Sequence, residues 1–150
     1  MAGIQAIAGQ IWRDDCYYFD SATGQCKRKY VLVLAVEPKS GDCVTAVLTS
    51  KPNGLTDNPP CHLGPPRAGY FVGTPGGRLT LPTWIDFSSV QILDCDDLVI
   101  HVKTGRKQLH LQTLSKVTFC AVLRCVLQCE DISLREARWV ADSVALLGCP

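Results

Sequence analysis

Two apolar runs dominate the first half of the chain, YVLVLAV (30–36) and CVTAVLTS (43–50). Their length and β-branched content predict strands, the first of them buried on both faces. The EPKSGD between them carries Pro and Gly turn signals, so the pair reads as a hairpin. Ile11-Trp12, after Gly9, predict a first strand, and the DSATGQCKRK that follows reads as turn residues and charges. RAGYFVG and RLTLPTWIDF predict two further strands around TPGG, with SSVQILD after them. DLVIHVKTGRKQLHLQ reads as a second hairpin with Thr104-Gly105 near its turn. Residues 52–66, PNGLTDNPPCHLGPP, hold five prolines in fifteen residues and predict a long irregular loop.

The last third changes period. LSKVTFCAVLRCVLQC (114–129) is apolar on nearly every side, interrupted by Thr118, Arg124 and Gln128, as a helix with a narrow wet stripe would be. In SLREARWVADSVALLG, Ser133 and Glu136 stand at capping-box spacing. Ala137, Val140, Ala141, Val144 and Leu147 share one helical face, and Gly148 is a stop signal. Strands followed by helices predict an α+β fold, a curled antiparallel sheet with two C-terminal helices. The first of these helices is too apolar to leave a side in water. Either the sheet covers it or a second chain does, and a homodimer is the expectation.

Composition narrows the classes. A chain of 150 residues with 47% apolar content suits one domain, 1–150, and argues against disorder. The net charge of +1 excludes a uniformly basic nucleic-acid binder, so any phosphate site must come from a local cluster. No apolar run approaches the roughly 20 residues of a membrane span. The first twelve residues carry no cationic n-region, so the expected location is the cytoplasm, with no membrane partner. The nine cysteines form no Cys-x-x-Cys pair, and an odd count at irregular spacing predicts free, mostly buried thiols. Cys125 and Cys129 share a helical face, as core residues would. Cys61-His62 can offer two metal ligands, but no partner pair accompanies them, so no metal or other cofactor is expected.

The colinear set GQIW, KRKYVLVL, TAVLTS, SSVQILD and ISLREARWVADSV resembles the PemK/MazF family of toxin ribonucleases, in patches from about residue 9 to 147. The resemblance implies a small SH3-like antiparallel β-barrel (about 9–112) followed by helices (about 115–147). It also implies a dimer that cuts single-stranded RNA without a metal and is covered by an acidic antitoxin protein. By register the family's cation falls on Lys29, with Arg28 adjacent, and its phosphate-binding threonine on Thr49, with Ser50 beside it. The family's later Arg falls on Gln91, its Thr on Ile92 and its Gln on Ser89, so of that patch only Asp94 is retained.

Metal-free RNA cleavage uses the neighbouring 2′-hydroxyl as nucleophile and needs a base, an acid and positive charge around the phosphate. Arg28 or Lys29 would stabilise phosphate charge and Thr49 would hydrogen-bond it; Lys29 is a point charge where a guanidinium would be two-pronged. Asp14, Asp94 and His62 are the candidate proton carriers. The hairpin 30–50 runs out and back, which gathers Arg28, Lys29, Thr49, Ser50 and Lys51 at one edge. Each residue also has a plain reading: a solvated strand start for 27–29, a turn-satisfying hydroxyl for Thr49, a solvated turn for Asp94, Asp96 and Asp97. Lys103, Arg106 and Lys107 lie in a stretch without acids from Leu98 to Cys129 and read either as a solvated hairpin or as a basic surface for RNA. Trp12, Tyr17, Tyr18 and Phe19 offer stacking rings, Trp12 more plausibly as core. The alternative to a nuclease is the same barrel without catalysis, binding RNA or an acidic peptide. A topoisomerase poison on the same fold would act through its C-terminal residues, for which LLGCP offers no aromatic end.

Overall fold

The computed structural model describes residues 4–150; residues 1–3 of the expected single-domain range lie outside the described residues. Seven strands form one antiparallel sheet: β1 (Gln10–Asp20), β2 (Gln25–Val36), β3 (Cys43–Thr49), β4 (Cys61–His62), β5 (Gly69–Gly73), β6 (Thr83–Leu93) and β7 (Lys107–Thr113), in the order β4-β5-β6-β3-β2-β1-β7. Among the described residues three helices complete the fold: α1 (Cys95–Lys103), α2 (Lys116–Leu127) and α3 (Leu134–Leu147). The fold is α+β with an antiparallel sheet and two C-terminal helices. It is not a closed barrel, because among the described residues the edge strands β4 and β7 do not pair with each other.

Alternation explains the layering. Tyr30, Leu32 and Leu34 on β2 stand opposite Leu48, Ala46 and their neighbours on β3, and with Ile11, Ile85 and Phe87 they pack against Phe119, Val122, Leu123 and Val126 of α2 and Trp139 and Val140 of α3. The odd-numbered residues Val31 and Val33 face the other way and join Trp12, Cys43 and Leu98 of α1 in a smaller core. Both faces of β2 are therefore buried, which is why its sequence reads as an unbroken apolar run.

The expected hairpin is present, with Tyr30 paired to Leu48 and Val36 to Cys43. β1 and β2 form a longer ribbon than the turn-like DSATGQCKRK suggests: Tyr18 pairs with Lys27 and Asp20 with Gln25, after a register shift between Asp14 and Tyr18. TWIDF and SSVQIL form one strand, β6, bent where Ser89 Oγ accepts the Val47 N–H at 2.8 Å beside a register shift, and RLTLP before it is not part of that strand.

Residues 95–107 correct the second-hairpin expectation. Asp94 caps α1 by accepting from Asp96 N–H at 2.7 Å, acids fill the first turn, and Thr104 ends the helix. These helix signals outweigh the β-branched content of LVIHV. In α3, the Ser133–Glu136 capping box forms in both directions and Gly148 ends the helix at φ +66°, as expected.

The thiol expectation is also corrected. Six cysteines pair as Cys16–Cys26, Cys61–Cys125 and Cys120–Cys149, and Cys43, Cys95 and Cys129 are free. Irregular spacing hid the pairs, since each links elements distant in sequence or facing arms of a ribbon. Three disulfides are what an oxidising compartment maintains, and they count against the cytoplasmic expectation drawn from the first twelve residues. Among the described residues no helix is long and apolar enough to cross a membrane. Nor does α2 call for a second chain, since its sheet-facing residues are already covered within one chain.

Candidate functional site: a cationic cleft at the open end of the hairpin

β2 and β3 deliver the expected residues to one place. Pairing of Tyr30 with Leu48 sets Lys29 and Thr49 one step further along the same two strands. They line a cleft of about 280 Å³ together with Arg28, Ser50, Lys51, Arg78, Thr80 and Thr83. Among the described residues no carboxylate and no imidazole lines it.

Arg78 and Thr80 complete this cleft, and sequence reasoning missed them, having placed them in a strand after a TPGG turn. The segment is instead a loop clamped from across the molecule. Gln112 of β7 accepts the Arg78 N–H at 3.0 Å and donates to the Gly76 carbonyl at 3.1 Å. Gly77 lies under that amide at φ +59°, where a Cβ would stand 2.8 Å from Gln112 Oε1. The sheet curls enough for the β5–β6 connection to reach β7, so the exposed Arg78 lines the same cleft as Lys29 and Lys51.

The cations differ in how far they are committed. Arg28 Nε lies 3.1 Å from Asp15 Oδ1, an oxygen also 2.9 Å from Arg13 Nε but off its N–H direction. Among the described residues, Lys29, Lys51 and Arg78 have no acidic partner. Thr49 Oγ1 accepts the Lys51 N–H at 3.1 Å, the turn-satisfying role. Among the described residues its one other hydrogen bond, to the Lys51 carbonyl at 3.5 Å, is at the limit of such a bond, so the hydroxyl proton is open to a phosphate oxygen.

The remaining candidates lie elsewhere. Asp94 follows the last residue of β6, whereas the cleft meets the first, roughly 30 Å away along the strand. His62 is on edge strand β4, its ring held by Thr56 Oγ1 at 3.3 Å and the Pro65 carbonyl at 3.1 Å. Lys103 is exposed at the end of α1, but Arg106 and Lys107 do not form an exposed basic surface. Arg106 Nε and Nη2 donate to the two oxygens of Asp14 at 3.1 and 3.3 Å, and Lys107 is buried with Nζ 3.6 Å from the same carboxylate. Asp14 also accepts the Cys16 N–H at 3.0 Å. It is thus occupied by structural donors and is not poised as a proton carrier. Gln91 stands on the sheet face that carries this cluster, away from the cleft.

Two of the free thiols are poor nucleophiles: burial pushes Cys43 up to about 12, and burial with Asp42, Asp96 and Asp94 nearby raises Cys95. Among the described residues no group of three His, Cys, Asp or Glu side chains is placed to hold a metal ion.

Comparison of the chain with protein-family models, with curated proteins and with solved structures finds no match.

Proposed function

We propose that the cleft binds the sugar–phosphate backbone of single-stranded RNA and that the chain is a binding module. The observation that carries this reading is the set of three cations, Lys29, Lys51 and Arg78, that among the described residues have no acidic partner and stand around donor hydroxyls in a cleft that no described acid lines. Phosphate oxygens are acceptors only, and such a lining offers donors and positive charge without competing carboxylates. The neighbouring ribbon adds Tyr18 and Phe19, half or more exposed beside Lys27 and Arg28, as rings on which unpaired bases stack. A cleft without carboxylate or imidazole lacks the usual acid–base pair for cleavage.

A PemK/MazF-like nuclease is the second reading, favoured by Lys29 and Thr49 lining one cleft as the resemblance requires; an acidic antitoxin would then cover the same cations. One experiment separates the two. Binding and cleavage of a labelled single-stranded RNA are followed in EDTA across a salt series, with Arg78→Ala, Thr49→Ala and Lys29→Arg alongside. A binding module gives intact RNA and a salt slope near −2 for three phosphate contacts, and Arg78→Ala lowers that slope by about 0.7. RNA that is cut, with a loss of about 10²–10³ in rate in Thr49→Ala and activity kept or raised in Lys29→Arg, establishes the nuclease instead. Absence of both binding and cleavage at low salt overturns both readings.

A further inference from the structure

The cluster around Asp14 encloses a second, smaller cavity of about 90 Å³ on the α1 side of the sheet. It holds more positive charge than its carboxylate balances: Arg106 and Lys107 share the single Asp14. Two of its buried nitrogens also stand without a hydrogen-bond partner among the described residues. Trp12 is fully buried, and among the described residues its Nε1–H has no partner. His101 Nε2 lies 3.1 Å from Arg106 Nη1, which has only protons to offer, so Nε2 accepts and the neutral ring carries its proton on Nδ1. That Nδ1–H is buried and also lacks a partner among the described residues. Lys107 Nζ, 5.9 Å from the centre of the Trp12 ring, reaches Asp14 only at 3.6 Å. Buried donors left unsatisfied are costly, and an excess of one charge raises that cost. A negatively charged ligand rich in acceptor oxygens removes both deficits.

We infer that this cavity is a binding site for a small oxyanion, held by the indole N–H of Trp12, the Nδ1–H of His101 and the ammonium of Lys107. Its volume is far below the roughly 300–1,000 Å³ of pockets for larger organic ligands, which limits the occupant to a free ion of the size of inorganic phosphate. The site shares no lining residue with the cationic cleft and does not depend on what the cleft binds.

The test uses the full chain and inorganic phosphate, read through the three indole N–H resonances of Trp12, Trp84 and Trp139, with chloride at equal ionic strength as control. The Trp12 signal shifts saturably with phosphate and not with chloride, while the Trp84 signal, whose N–H already donates to the Thr56 carbonyl at 3.1 Å, stays in place. His101→Phe weakens the phosphate response about tenfold or more, and Arg78→Ala, which alters only the cleft, leaves it unchanged. The Trp84 and Trp139 signals report that each variant is folded. A Trp12 signal that is indifferent to phosphate, that moves equally with chloride, or that loses its response in Arg78→Ala overturns the assignment.

Discussion

The cleft and the Asp14 cavity use the same raw material in opposite ways. Both gather arginine and lysine next to the β1–β2 ribbon, and they meet at the register pair Asp14–Lys29. In the cleft, Lys29, Lys51 and Arg78 keep their ammonium and guanidinium groups at the surface without acidic partners, so their charge is available to a ligand. In the cavity, Lys107 and Asp14 are both buried, and Arg106 is tied to Asp14 through two nitrogens, so much of that charge is spent on holding α1 and β7 to the sheet. A basic residue in the sequence therefore says little by itself. Its acidic neighbours and its burial decide whether it binds or braces.

The largest effect should come from breaking the brace. Asp14→Ala leaves the buried Lys107 and the half-buried Arg106 without a counter-charge, and removing one partner of a buried ion pair costs about 3–5 kcal/mol. Urea unfolding should show that loss, while Lys51→Ala and Arg78→Ala in the cleft stay within about 0.5 kcal/mol of wild type. Equal losses at both places would erase the distinction between them.

A smaller effect is expected where the two regions share a support. Cys16–Cys26 crosses the ribbon beside the shift in register between Asp14 and Tyr18, with a separation of 10 residues. Closing so short a loop stabilises by about 2–3 kcal/mol through the unfolded chain. The double variant Cys16→Ala/Cys26→Ala should lose about that much in urea. It should also weaken RNA binding, because Lys27, Arg28 and Lys29 follow Cys26 directly on β2. A loss of stability with unchanged binding would show that the ribbon tip is no part of the RNA surface.

Much of the cleft was legible before any coordinates. The unbroken YVLVLAV and the turn EPKSGD determine a hairpin, and a hairpin brings its two open ends together, so Lys29, Thr49, Ser50 and Lys51 had to meet. Arg78 was not legible, because its place depends on Gln112 reaching over from β7, a contact between residues 34 apart that no local pattern encodes. The same holds for the disulfides: Cys61 and Cys125 are 64 residues apart, and their meeting follows from the packing of α2 on the sheet. Arg106 and Lys107 misled for a different reason. Charge normally marks a solvated position, and only the strand partner Asp14, 92 residues from Arg106, reverses that rule. The alternation of Trp12 and Asp14 on one face was the available signal, since a strand that buries the first must turn the second the same way.

The smallest expected effect sharpens the comparison through pH. His101 faces Arg106 from the turn before β7, Lys107 from β7, Asp14 from β1 and Asp97 on its own helix. Burial first, then Lys107 and Arg106, hold its pKa below the ordinary 6.5, outweighing Asp14 and Asp97. In the unfolded chain the imidazole regains a pKa near 6.5, so between the folded value and 6.5 the unfolded state binds more protons than the folded one. Stability must then rise with pH across that window: it is complete above 6.5, falls as the pH drops through 6.5 towards the folded pKa, and levels off below it. His101→Asn keeps a neutral side-chain donor and removes the titration. Unfolding measured at pH 8 and at pH 5 should therefore show a smaller acid loss in His101→Asn than in wild type. The cleft gives no such signature, since among the described residues no histidine or acid lines it, and Lys29→Ala should follow the wild-type profile. An acid loss equal in wild type and His101→Asn would mean that burial and the neighbouring Lys107 and Arg106 do not hold His101 neutral.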